Sequence, residues 1–328
     1  MTYPLSILDL APVLSGQTIA ESLACSVELA QVAEQCGYTR VWYAEHHNMP
    51  RIASAATSVL IAHVAANTST IRLGSGGVML PNHSPLTIAE QFGTLESLHP
   101  GRIDLGLGRA PGTDPNTSRA LRRDPRAAEQ FPQDVQELQA FLADETLIPG
   151  VYATPGRGTK VPLYILGSST FGAQVAAYLG LPFAFASHFA PASLEQAVQI
   201  YRSTFQPSEQ LAVPHVIAGL NVIAAHTSDD AAEQLHTTLL NRVRAFLGRG
   251  QQWSDEQAEE VLASPHGQDV ARMMTFSAVG TADQALDYLE HFAKQYEIDE
   301  VITAHQSPTH EARLESVRLL AKANGLVS

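Results

Sequence analysis

The 328 residues, 45% hydrophobic and 16% charged, can bury a large core, which excludes a disordered chain. Asp and Glu number 33 against 20 Lys and Arg, a net charge of -13. That excludes the basic footprint a nucleic-acid partner needs and obliges any anionic cofactor to find a local positive site. No apolar run approaches the ~20 residues of a membrane helix. The opening MTYPLSILDL has no basic stretch ahead of its apolar run, so a cytoplasmic protein without a membrane partner is expected. Cys25 and Cys36 fall in one predicted helix, roughly 16 Å apart at a rise of ~1.5 Å per residue, too far to bridge. Free thiols fit a reducing compartment.

Along the chain, short β-rich apolar runs alternate with longer stretches of helical period. Strands are predicted at 5–10, 40–44, 70–78, 102–107, 162–167, 183–187, 216–224 and 299–304. In 191–205, Leu194, Ala197, Val198, Tyr201 and Phe205 form a helical stripe. Ala282, Ala285, Leu286, Leu289 and Phe292 form another, behind a capping box from Thr281 to Gln284. Strands apolar almost throughout, with helices between them, make a parallel sheet covered by helices. Eight such units predict closure into a (β/α)8 TIM barrel, one domain over 1–328. Two stretches interrupt the repeat: 108–131 after the fourth strand, and about 248–280 between the seventh helix and the last helix–strand pair. Long excursions from a compact barrel are lids or binding loops more often than decoration.

The active site of such a barrel lies at the strand C-termini, where polar residues and glycines cluster. Strand two runs into Glu45-His46-His47-Asn48, strand three holds Gly74-Ser75-Gly76-Gly77, and strand four ends in Gly106-Leu107-Gly108-Arg109. Strand five ends in Gly167-Ser168-Ser169 and strand six in Ser187-His188; strand seven passes Asn221, and strand eight ends near His305. The twin glycines either let a flat ring lie against the main chain or form a bulge that eases barrel curvature. Ser168-Ser169 before a helix is either an anion site, with free amides and a positive helix end, or a simple N-cap. Arg109, Arg119, Arg122 and Arg123 are candidate counter-charges, of which one or two are expected to reach the anion. His46 suits a general base near neutral pH, or a structural hydrogen bond, as expected of many of the 13 histidines; His63 and His99 are read as structural. A metal at His46-His47 is disfavoured, because the first strand, Leu5-Ser6-Ile7-Leu8-Asp9, lacks the His-x-His of barrel metallohydrolases. Gly106 to Gly112 has neither the spacing nor the following helix of a dinucleotide fingerprint.

These residues closely resemble the bacterial luciferase-like monooxygenases, most of all their YhbW-like branch. The likeness runs from Val41 to Arg123, through VWYAEHHNMP, LGSGGVMLPNHSPLTIAEQFGTLESLHPGRIDLGLGRAPGTD and SRALRR. It resumes at Gly167-Ser168-Ser169, Gly180-Leu181-Pro182, Ala186-Ser187-His188-Phe189, Val279-Gly280-Thr281 and Asp299-Glu300. The resemblance implies a (β/α)8 barrel that binds FMN, reduced by a separate flavin reductase, and passes oxygen from O2 to a small organic substrate. It also implies a homodimer through 57–67 and 85–98. His46 matches the family's expected base, and Gly76-Gly77 matches a pair joined by a non-proline cis peptide against the flavin ring. Arg109, Ser169 and Gly172 match phosphate contacts; Arg119 fits a second phosphate arginine, with Arg122 or Arg123 as substitutes. Ser75, Ser168 and His188 are counted with the cofactor contacts, and 248–280 is the expected lid. Pro111-Gly112 stand where luciferase has bulkier residues near the ring, so neither its substrate pocket nor its light emission carries over. An F420-dependent reductase of the same superfamily and a non-catalytic flavin-binding protein are the alternatives.

Overall fold

The computed structural model describes residues 2–110, 114–248, 251 and 253–327. The chain runs β1 (Leu5–Asp9), α1 (Ile19–Gln35), β2 (Arg40–Tyr43), α2 (Thr57–Ala65), β3 (Arg72–Met79), α3 (Pro85–Leu98), β4 (Ile103–Gly108), α4 (Pro115–Ala120), α5 (Phe131–Leu142) and β5 (Leu163–Gly167). It continues with α6 (Thr170–Leu179), β6 (Phe183–Phe185), α7 (Leu194–Thr204), β7 (Val216–Ala225), α8 (Ser228–Leu247), α9 (Asp255–Ala263), α10 (Pro265–Arg272), β8 (Ser277–Thr281), α11 (Ala282–Gln295), β9 (Glu300–His305) and α12 (His310–Ala323). Strands β1 to β7 pair in sequence, β7 pairs β9, and β9 returns to β1, all in parallel. This is the closed (β/α)8 barrel, and its eight strands are the eight expected.

One element was not expected. β8 pairs Ser277–Thr281 with Asn221–Ala225, on the half of β7 beyond its pairing with β6 at Val216–Ala218. Its SAVGT buries alternate residues only, so it lacks the continuous apolar run by which the other strands announce themselves. The capping box at Thr281 and Gln284 is present. The helix expected at 191–205 is α7, preceded by a 3-10 turn at Pro191–Ser193. Both cysteines are free. Among the described residues, no helix is long and apolar enough to cross a membrane.

The main core lies between the sheet and its helices, where Ile7, Val41, Leu73, Leu105 and Ile165 meet Leu29, Ile61, Phe92 and Val175. Inside the barrel a smaller apolar cluster joins Leu8, Trp42, Ala44, Tyr164, Ala184, Ile217 and Ile302. Beneath it is a charged floor. Arg40 donates to Asp104 (2.8 Å), to the Tyr164 hydroxyl (2.7 Å) and to Glu300 (3.2 Å). Trp42 Nε1 and Arg72 Nε also donate to Asp104, both at 3.1 Å. Ser6 donates to Glu300, which His215 also meets at 3.3 Å. Burial would push the Glu300 pKa up, but His215, Arg40 and Ser6 outweigh it and hold the carboxyl ionised.

Both excursions are ordered where described. α4, capped by Asp114, is tied to the loop after β2 by Asn48 Nδ2, which donates to Thr117 Oγ1 at 2.9 Å. α9 and α10 pack on α8 around Leu240, Val243, Ala258, Leu262 and Val270, a core separate from that of the barrel. Pro111, Gly112, Arg249 and Gly250 lie outside the described residues. Replacing Arg40 by Met should cost about 3–5 kcal/mol in urea unfolding at pH 7, because Asp104 and Glu300 would remain buried without their cation. A loss under about 1 kcal/mol would show that the floor is not held this way.

Candidate functional site

The loop after β2 carries a clamp. Glu45, buried at 1% exposure, accepts from His47 Nε2 (2.7 Å), His83 Nε2 (2.9 Å) and the Met79 amide (2.9 Å). Burial would raise its pKa; His83, the Met79 amide and His47 overcome this and keep it ionised. His47 is thereby committed to Glu45. His46 is held by its backbone, whose amide donates to the Ser54 carbonyl (3.1 Å), and its buried Nδ1 has no hydrogen-bond partner among the described residues. Its pKa is lowered mainly by burial, against the pull of Glu45 and with a small push from His47. Among the described residues, no cluster of His, Cys, Asp or Glu is placed to hold a metal ion.

At the β3–β4 wall the Gly76–Gly77 peptide is cis, and the strand register slips between Ser75 and Val78. The bulge reading of the glycines is therefore part of the answer, and packing supplies the rest. A Cβ on Gly77 would come within 2.7 Å of the Gly106 carbonyl, and one on Gly76 within 2.9 Å of Leu8 Cδ1. Gly76 nonetheless keeps exposed surface. Ser75 has none: its hydroxyl donates to the Gly106 carbonyl at 2.8 Å and braces β3 against β4.

Arg109 is brought to the first turn of α6, the helix that the serine pair precedes. The Arg109 guanidinium lies 4.1 Å over the ring of Phe171, in the first turn of α6. Ser169 is the N-cap of that helix, yet its hydroxyl makes no capping bond. Ser168 and Ser169 are both exposed, and the first amides of a helix have no partner within it. Gly172 serves packing, since a Cβ there would sit 3.3 Å from Gly167 Cα. Arg119, Arg122 and Arg123 are exposed on and just after α4, without a side-chain hydrogen bond or ion pair among the described residues; nothing joins them to Arg109.

Across the barrel, His188 lies on Gly219, where a Cβ would meet its Nδ1 at 2.3 Å. Asn221 Nδ2 holds the His188 carbonyl at 2.6 Å and that of Phe276 at 3.1 Å. Burial lowers the His188 pKa to about 3, with smaller contributions from Arg242 and His46, which places the Arg242 cation and His46 in its neighbourhood. His305, by contrast, is fully enclosed between Thr303 and Ser316 and is structural. Sequence reading missed Phe171, Gly219 and Arg242. A glycine inside an apolar strand was a visible sign of close approach at Gly219; Arg242 looked like any helical surface arginine.

Three buried histidines held neutral, His46, His188 and His305, set a pH dependence. Unfolded histidines titrate near pH ~6.5, so stability present above that pH is lost as pH falls toward the folded values, because only the unfolded chain then takes up protons. Imidazole NMR should find His46 titrating below its ordinary range and His188 still neutral at pH 5. Urea stability should fall from pH 7.5 to pH 5, with a shallower fall in His188→Gln. A His188 that protonates near 6.5 would contradict this.

Comparison with known proteins agrees with this architecture. The family model described as luciferase-like monooxygenase matches residues 5–296. A luciferase-like monooxygenase of Escherichia coli (strain K12) is 49% identical over 322 residues, 97% of this chain and 96% of the relative. An N-acetyl-S-alkylcysteine monooxygenase of Bacillus subtilis (strain 168) is 36% identical over 311 residues, 91% of each chain. The crystal structure of apo-MsnO8 superposes with a TM-score of 0.90 at 35% identity, covering 99% of this chain and 98% of that one.

Proposed function

The chain belongs to the luciferase-like monooxygenases, and we propose that it is a two-component enzyme that takes FMN, reduced by a separate flavin reductase, and uses O2 to oxygenate a small organic substrate. The observation that carries this reading is the pairing of Arg109, stacked on Phe171, with an α6 N-terminus whose cap hydroxyl is unspent. A phosphate fits such a seat: it takes the cation, the serine hydroxyls and the first-turn amides together. Gly76, partly exposed and without a side chain, offers bare backbone to a flat ring.

Reduced flavin, when bound, supplies the electrons that activate O2; the chain supplies binding, orientation, dryness and proton handling. Arg109, Ser168 and Ser169 anchor the phosphate. His46, kept neutral by burial, is the group that accepts and returns a proton at a ring nitrogen. Its neighbour His47 cannot take that part while bonded to Glu45. The second excursion, with α9 and α10 packed on α8, is the lid that limits water. α2 and α3, linked by Ser58 and Gln91 at 2.9 Å, expose Val59 (68%) and Leu98 (63%), and they form the face of a homodimer in this reading.

The Bacillus relative is named for N-acetyl-S-alkylcysteines, which makes thioethers the first substrates to assay. Arg109→Gln should weaken FMN binding about tenfold or more, the worth of a charged hydrogen bond. His46→Ala should leave FMN affinity intact and cut oxygen transfer by about 10²-fold or more. Displacement of FMN by F420 at equal concentration, or hydrogen peroxide as sole product across a broad substrate screen, would overturn the assignment.

A further inference from the structure

A second cation sits in the same mouth without a partner. Arg242 lies on α8, one turn beyond Thr238, whose hydroxyl donates to the Gln306 carbonyl (2.7 Å) just past the end of β9. Residues four apart share a helix face, so Arg242 is on the face of α8 turned toward the strand ends, on the side of His188. Arg242 is half-buried, yet it makes no hydrogen bond or ion pair among the described residues. The contrast with its peers is sharp. The other buried or half-buried arginines among the described residues, Arg40, Arg72, Arg102, Arg202, Arg244 and Arg313, each donate to carboxylates or carbonyls.

A guanidinium withdrawn from water without an acceptor is costly, in a chain that carries 33 carboxylates against 20 Lys and Arg. Burial lowers the Arg242 pKa and no carboxylate offsets it. The group it acts on adds no negative charge: His188 is held neutral, with its Nδ1 close over Gly219. Arg242 is thus a cation without an acceptor among the described residues, on α8 and not at the α6 end where Arg109 stacks on Phe171.

We propose that Arg242 is the counter-ion for a carboxylate on the organic substrate, which makes the enzyme selective for anionic substrates. Arg242 fixes one end of the molecule beneath α8, leaving the oxidisable atom toward the interior of the mouth. The proposal rests on the oxygenase reading for the word substrate, while the anion site itself is read separately by binding.

The test uses the FMN-loaded protein and a panel of thioether acids of two to six carbons, each matched with its methyl ester and primary amide. Calorimetric titration gives affinity, and oxygen transfer with reduced FMN gives turnover. Acids should bind at least about tenfold more tightly than their esters and amides. Arg242→Gln should erase that preference while FMN affinity stays unchanged and Tm does not fall, and Arg242→Lys should restore part of it. The proposal is overturned if no acid binds, if esters bind as well as acids, or if Arg242→Gln keeps the preference. It is equally overturned if Arg242→Gln loses FMN affinity tenfold, since the guanidinium would then serve the flavin phosphate. Acids that bind through Arg242 but are never oxygenated would leave the anion site standing and remove the oxygenase reading instead.

Discussion

The guanidinium of Arg40 sets the geometry on which the rest depends. It stands inside the barrel and ties β2 to β4, β5 and β9 through Asp104, Tyr164 and Glu300; Arg72 and Ser6 bring in β3 and β1. Charges buried this deeply persist because each has a partner. The consequence is directional. One end of the barrel is stoppered by ion pairs, the middle is filled by Leu8, Trp42, Tyr164, Ile217 and Ile302, and chemistry is left to the strand C-termini.

At that end, the division of labour among similar residues follows from what each touches. Of the adjacent histidines, His47 is spent on Glu45 and His46 is not. Of the serines on β3 and before α6, Ser75 is spent on Gly106, while Ser169 makes no capping bond and both Ser168 and Ser169 are exposed. Of the half-buried arginines, Arg242 alone among the described residues lacks an acceptor. Unspent donors at one rim of a closed barrel are what distinguish a binding site from the bracing around it.

Much of this was legible in the chain. Long apolar strands and a complete capping box carry their own signals, so the eight barrel strands and the start of α11 could be placed by pattern. Arg109 and Ser169 could be paired because both follow strands and one precedes a helix. Other features were not legible, each for a physical reason. β8 buries alternate residues only, so it reads as loop. Arg119, Arg122 and Arg123 sit in an arginine-rich run where sequence cannot separate solvated side chains from ligands. Arg242 is set apart only by the absence of a partner, a property of three dimensions. The twin glycines show the bulge, a shifted register with tight packing on Gly106 and Leu8, and Gly76 is partly exposed.

The most direct measurement is a crystal structure of the complex with FMN. The phosphate should lie within hydrogen-bonding distance of Arg109 and Ser169, with the ring against Gly76 and His46 beside it. A phosphate found on Arg119 or Arg242, with the α6 N-terminus bare, would contradict the site.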